Sequence, residues 1–188
     1  AVEKKKRNIL SRAWKIIAMW WAFFVHGNVS PVSEFNFWYD PKSVDVVLKS
    51  WANLFIAPLD LTTQRVFAAE DLEPVLEHVN EDKYREFLYE LTEFTIWTNM
   101  WFRETHYHRG FYVHDASTIW FLLYPHIYTG TYYNVQIESK SDLTKWLTVV
   151  DSRNFPKTET NAFVITDMDE ELFLEAMTED FKDFDFAW

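Results

Sequence analysis

Cysteine is absent from the 188 residues, which removes disulfides, thiolate metal sites and thiol nucleophiles from consideration. Glycine is scarce as well, with three residues where average usage of about 7% would give roughly 13. So few glycines leave little backbone that tolerates positive φ, although a chain of this length needs many turns. Long apolar runs are missing. The longest covers residues 16–25, ten residues and too short to cross a bilayer, so no membrane partner is expected. Basic residues are outnumbered, 18 Lys and Arg against 29 Asp and Glu, for a net charge of −11. That balance speaks against a nucleic-acid partner, whose phosphates require a basic face. No Gly-rich phosphate loop, Gly-x-Ser-x-Gly elbow or His-Glu-x-x-His is present, which leaves serine-hydrolase and zinc-protease chemistry without support. No secretory leader is legible, and the chain begins at Ala1 rather than Met.

What is present is apolar and aromatic: 48% hydrophobic residues, 19% aromatics and ten tryptophans. Such a composition belongs to a folded domain with a substantial core, and residues 1–188 are expected to lie within one domain. Residues 3–12 read as a short basic helix. Residues 14–19 form a continuous apolar run of the kind buried on both faces of a parallel sheet. Asp40-Pro41 opens an amphipathic helix, with Asp40 as N-cap and Pro41 as first helical residue. A second short apolar run covers residues 54–59. Helices are predicted over 69–80, 82–104, 116–123 (stopped by Pro125) and 169–181, and strands over 128–137, 143–150 and 161–166. Strands alternating with helices predict an α/β fold, a mostly parallel sheet flanked by helices. Residues 167–185 hold nine acids and one Lys, the composition of a solvated outer helix face.

Two segments could carry chemistry. In Gly27-Asn28-Val29-Ser30-Pro31-Val32-Ser33-Glu34-Phe35-Asn36, the groups Asn28, Glu34 and Asn36 follow the C-terminal end of a predicted parallel strand, where α/β sheets place ligand crevices. Two residues apart, Glu34 and Asn36 converge in an extended or irregular segment but not in a regular helix. One carboxylate and two amides suit a polyhydroxylated ligand such as a sugar. The plain alternative makes Asn28 a turn residue and Glu34 an acid at a helix start. In Val113-His114-Asp115-Ala116-Ser117, Asp115 is placed as a helix N-cap, and His114 sits between a strand end and a helix start. A proton-donating His beside a cation-binding carboxylate would make chemical sense there. His106 and His108 with His114 could also suggest a transition-metal site, although no zinc-type spacing follows. His26, His78 and His126 are most simply core or surface residues.

Taken together, and joined by Pro58-Leu59-Asp60-Leu61-Thr62, these segments resemble the nucleoside hydrolase family of the inosine–uridine-preferring type. The likeness runs from about Ala13 to Phe181. It takes in Ile16-Ile17-Ala18-Met19, Asp40-Pro41 and Leu147-Thr148-Val149-Val150-Asp151. The resemblance implies hydrolysis of the N-glycosidic bond of a ribonucleoside, with bound Ca²⁺, by a cytoplasmic homodimer or homotetramer. It implies that Met19, Asn28, Glu34 and Asn36 line the ribose pocket. Asp115 would ligate Ca²⁺ and touch the sugar, and His114 would assist departure of the base. A segment within residues 97–112, with Tyr107 and His108, would set base preference.

Two departures from the family pattern qualify this. The N-terminal Asp-x-Asp-x-Gly-x-Asp-Asp motif, source of most metal carboxylates, does not occur. The chain therefore looks like the C-terminal part, somewhat over half, of a longer enzyme, inactive by itself, or a nucleoside- or sugar-binding module without its metal site. Tryptophans also stand where the family has glycine: Trp20-Trp21 after Met19, Trp51 after a helix end, and Trp146 before Leu147-Thr148. Trp120, Trp14 and Trp97 are weaker cases, whereas Trp38 suits its segment. Glycine codons of the UGA type, read as Trp, would produce this pattern.

Overall fold

In the computed structural model, residues 9–79, 81–153 and 158–182 are described. The predicted basic helix over residues 3–12 falls largely outside them, and Leu10–Arg12 forms one 3-10 turn. Contacts divide the chain into two compact units. The first comprises residues up to Thr62 with His114–Asp167, and the second Thr63–Val113 with the residues from Met168 onward.

The first unit is built on a four-stranded sheet. Strand β1 (Ile16–Met19) is a bare apolar run, and β2 (Leu54–Ala57) is the inner strand beside it. β1 and β2 pair in parallel with Ile16 opposite Leu54 and Met19 opposite Ala57. β2 in turn pairs in parallel with β6 (Ala162–Met168), Phe55 opposite Phe163. β3 (Tyr128–Tyr133) completes the order β1-β2-β6-β3. β2 has strands on both sides, which explains why its sequence is apolar throughout rather than alternating.

Each face of the sheet is covered. On one, Leu54, Ile56, Ala18 and Val164 pack with Trp21, Phe37, Val44 and Leu48. Phe37 belongs to helix α1 (Phe35–Tyr39), and Val44 and Leu48 to helix α2 (Pro41–Leu48). On the other, Phe55 stacks at 5.5 Å on Phe121 of α6 (Ala116–Leu123) and at 5.3 Å on Phe163. A helix α3 (Leu59–Thr62) follows β2 directly. The α/β class and the parallel-rich sheet flanked by helices agree with the sequence, as does the Asp40 cap: its carboxylate accepts from the Ser43 amide at 3.1 Å, with Pro41 in the first turn.

Two predicted strands are shorter than expected. Residues 128–137 do not form one strand. Asn134 interrupts them, accepting from the Asp151 amide at 3.1 Å and donating its side-chain amide to the Glu159 carbonyl at 2.6 Å. β4 (Val135–Ile137) instead pairs antiparallel with β5 (Thr148–Val150). Residues 143–147 form a turn rather than the start of β5. Pro125 does not simply stop α6 but opens a 3-10 turn, Pro125–Ile127.

The second unit holds α4 (Ala69–His78), α5 (Asp82–Trp101) and α7 (Glu170–Lys182). Phe67 and Phe173 meet at 5.6 Å in its interior. Arg65 pairs with Asp71 at 2.7 Å and Glu170 at 3.1 Å. Among the described residues, no helix is long and apolar enough to cross a membrane.

Candidate functional site

Met19, Asn28, Glu34, Asn36, His114 and Asp115 all fall in the first unit, the first four at and after the end of β1 and His114 bonded to the segment after β2, whereas His106, Tyr107 and His108 belong to the second. After β1 the chain passes through Trp21 and Gly27 to Glu34. Gly27 has no room for a Cβ, which would meet the backbone of Ser30 and Ser33. Glu34 caps α1: its extended backbone precedes the helix, and its carboxylate accepts from the amides of Asn36 at 2.8 Å and Phe37 at 3.4 Å. The Asn36 side-chain amide also donates to Glu34, at 3.0 Å, and to the Met19 carbonyl at 3.5 Å. The two residues therefore do meet, across an extended cap and a helix start rather than inside a regular helix. A non-helical cap frees Glu34 from helical spacing. Asn28 accepts from the Phe35 amide at 2.9 Å, which makes it the turn residue of the plainer reading.

Glu34 is buried, and desolvation pushes its carboxyl above the ordinary range. The amides of Asn36, Trp21 and Phe37 and the Asn36 side chain pull it partly back. Asn28 and Asn36 are both exposed. The Nδ2 of Asn28 and the Oδ1 of Asn36 face no partner among the described residues, and so offer a donor and an acceptor to a ligand.

After β2, two residues that were not singled out prove central. The Asp60 carboxylate accepts from the amides of both Phe23 and Phe24 at 2.7 Å, tying the stretch after β1 to the stretch after β2. Thr62 is buried, and its hydroxyl lies 2.7 Å from Nδ1 of His114. The signal for both was the end of an apolar run, Pro58-Leu59-Asp60-Leu61-Thr62, in the position after a parallel strand. His114 is half-buried. Desolvation lowers its pKa below the usual imidazole value, and the neighbouring Asp115 charge opposes the shift. Asp115 occupies the N-cap position of α6, but its own backbone is helical and its side chain makes no cap hydrogen bond. The predicted capping role is therefore not performed, and the exposed carboxylate is left for other work.

A metal finds little here. Among the described residues, no group of three or more His, Asp or Glu could hold a metal ion. This disposes of the His106, His108, His114 set and leaves Asp115 as a lone carboxylate, where Ca²⁺ takes six to eight oxygens. The residues described do not fit the cation. A cleft of about 780 Å³ lies elsewhere in the unit, between Lys42, Asp45, Trp51, Gln136 and Trp146, and none of the six candidate residues lines it.

A parallel-rich α/β sheet followed by a carboxylate, two amides and an imidazole in the segments after its strands carries the donor and acceptor types that a small polyhydroxylated ligand needs. The chain matches the model of the inosine-uridine preferring nucleoside hydrolases over residues 1–175, and it belongs to that family. It is 32% identical over 142 residues to the probable uridine nucleosidase 1 of Oryza sativa subsp. japonica, covering 75% of this chain and 42% of that protein. It is 30% identical over 160 residues to the pyrimidine-specific ribonucleoside hydrolase RihA of Shewanella woodyi, covering 81% and 48%. In fold it is similar to a purine-preferring ribonucleoside hydrolase from Gardnerella vaginalis, with a TM-score of 0.82 at 23% identity over 96% of this chain and 55% of that one. The chain spans about half the length of the curated relatives it matches.

Proposed function

We propose that the protein acts in hydrolysis of the N-glycosidic bond of ribonucleosides, as the C-terminal portion of a single nucleoside hydrolase domain to which both compact units belong. The observation that carries this reading is the placing of two polar groups after adjacent parallel strands: Asn36 bonded to the carbonyl of Met19 at the end of β1, and His114 to Thr62 after β2. Asn28 and Asn36 would engage the ribose hydroxyls. As the C1′–N bond breaks, the ribosyl group becomes oxocarbenium-like, and negative charge on Asp115 and Glu34 would stabilise it. With its pKa lowered, His114 is neutral near pH 7. In the tautomer whose Nδ1 accepts from Thr62, its Nε2–H would hydrogen-bond the departing base, while the hydroxyl of water bonds to C1′ as C1′–N breaks and the proton that water gives up is the one the base takes up. The resemblance implies Ca²⁺ on Asp115, but with one carboxylate in place no step is drawn through it.

That lone carboxylate favours a second reading, a nucleoside- or sugar-binding module without catalysis. The expected location is cytoplasmic and the expected assembly a dimer or tetramer. Assay of ribose release from uridine and inosine separates the readings, using both the complete reading frame and the 188-residue chain, with ribose protection against unfolding measured alongside. The hydrolase reading expects release by the complete protein and none by the 188-residue chain. Protection without release by either is the binder's result. Neither release nor protection by the complete protein overturns both.

A further inference from the structure

Six described residues other than glycine have positive φ, and three of them are tryptophans: Trp21 at 91°, Trp51 at 56° and Trp146 at 70°. No described glycine has positive φ. In this region an L-residue's Cβ crowds the following carbonyl, and a β-carbon bearing an indole gains nothing locally in return, unlike Asn or Asp. Ten tryptophans in 188 residues do not supply half of the left-handed positions by composition.

The main chain at two of the three is held on both sides. The Trp21 carbonyl accepts from the Leu59 amide at 2.6 Å, and its amide lies 3.5 Å from the Glu34 carboxylate. The Trp146 amide donates to the Glu138 carbonyl at 2.7 Å, and its carbonyl accepts from the Ser33 hydroxyl at 3.0 Å. Trp51 closes the turn between α2 and β2. The side chains differ: the Trp21 ring is wholly buried against Phe37 and Phe23. Trp51 is 65% exposed, and the Trp21 indole N–H is buried without a partner. Backbone held in place and positive φ are together the marks of a glycine position.

We infer that this fold specifies glycine at positions 21, 51 and 146, and that the codon there is UGA, read as glycine by the cell that makes the protein. Trp20 is outside the inference, since its φ is not positive, and so is Trp38, which lies inside α1. In the glycine form no indole at 51 or 146 walls the cleft those residues line, and the space beside Phe23 and Phe37 now taken by the Trp21 ring is vacated.

Two measurements test this. The coding triplets are the first: UGA at 21, 51 and 146 with UGG at 38 is the expected result, and UGG at 21, 51 or 146 overturns it. The second is thermal unfolding of the full chain carrying W51G, W51A, W146G or W146A. The alanine variants remove the ring but keep Cβ, so any excess of glycine over alanine reads φ alone. Each glycine variant is expected to melt above its alanine partner by roughly 2–8 °C. Alanine variants melting as high as the glycine ones overturn the inference.

Discussion

Removing the Asp60 carboxylate tests whether the rim after β1 is held from β2. Its two oxygens accept from the Phe23 and Phe24 amides, each at 2.7 Å. A hydrogen bond to a charged group contributes about 1.5–3 kcal/mol. The solvent around Phe24 reduces its share, so D60A is expected to cost about 2–4 kcal/mol in all. D60N keeps one accepting oxygen and turns an NH₂ toward the second amide, and its loss should be about half that. For a chain of this size these losses correspond to a fall in Tm of roughly 4–16 °C for D60A. Urea unfolding checks the magnitude: the midpoint should fall with an unchanged slope. Amide hydrogen exchange checks the place. Phe23 and Phe24 should exchange faster in D60A, while the amides of Ile56 and Val164 in the paired strands keep their ranking. A D60A chain with the parental midpoint and unaltered exchange at Phe23 and Phe24 would refute the tie.

Ile56 is wholly buried at the centre of β2, so I56A should lose about 2–5 kcal/mol and I56V about 0.5–1.5 kcal/mol in denaturant titration. The folded Glu34 carboxyl holds its proton above the ordinary 4.5. Its contribution is therefore full below 4.5 and lost as pH rises through the folded value, and E34Q should flatten that fall in melts taken across the range. His114 runs the other way. Its folded pKa lies below 6.5, so its contribution is present above 6.5 and lost as pH falls through the folded value, and H114Q should remove that slope.

The sheet was legible because short apolar runs at residues 16–19 and 54–57 have the length and composition of buried parallel strands. The Asp40-Pro41 helix start was equally plain, since a cap and its proline act within one turn. The break at Asn134 was not. Its cause is a pair of hydrogen bonds, to Asp151 and Glu159, that no local pattern announces. Asp115 misled for the same reason. The residue type suits an N-cap, but the helical backbone at 115 denies its side chain the reach. Glu34 had two readings in the sequence, sugar ligand and helix-start acid, and the geometry shows the second: its carboxylate caps α1.

That assignment bears on which groups touch a ligand. A carboxylate offers about four lone-pair directions. Those of Glu34 face the amides of Asn36, Phe37 and Trp21 and the Asn36 side chain. A sugar hydroxyl would have to displace one of these, whereas Asn28 presents an unengaged NH₂ and Asn36 an unengaged oxygen. On the proposed reading the amides would therefore be the contact groups, with Glu34 holding the Asn36 side chain. N28D separates binding from folding: its carboxylate still accepts from the Phe35 amide, now with charge, but has no donor for a hydroxyl. Its unfolding midpoint should stay at or above the parental one, while protection of the complete protein by ribose falls several-fold. A variant that keeps full protection would take Asn28 out of the contact set and return Glu34 to it.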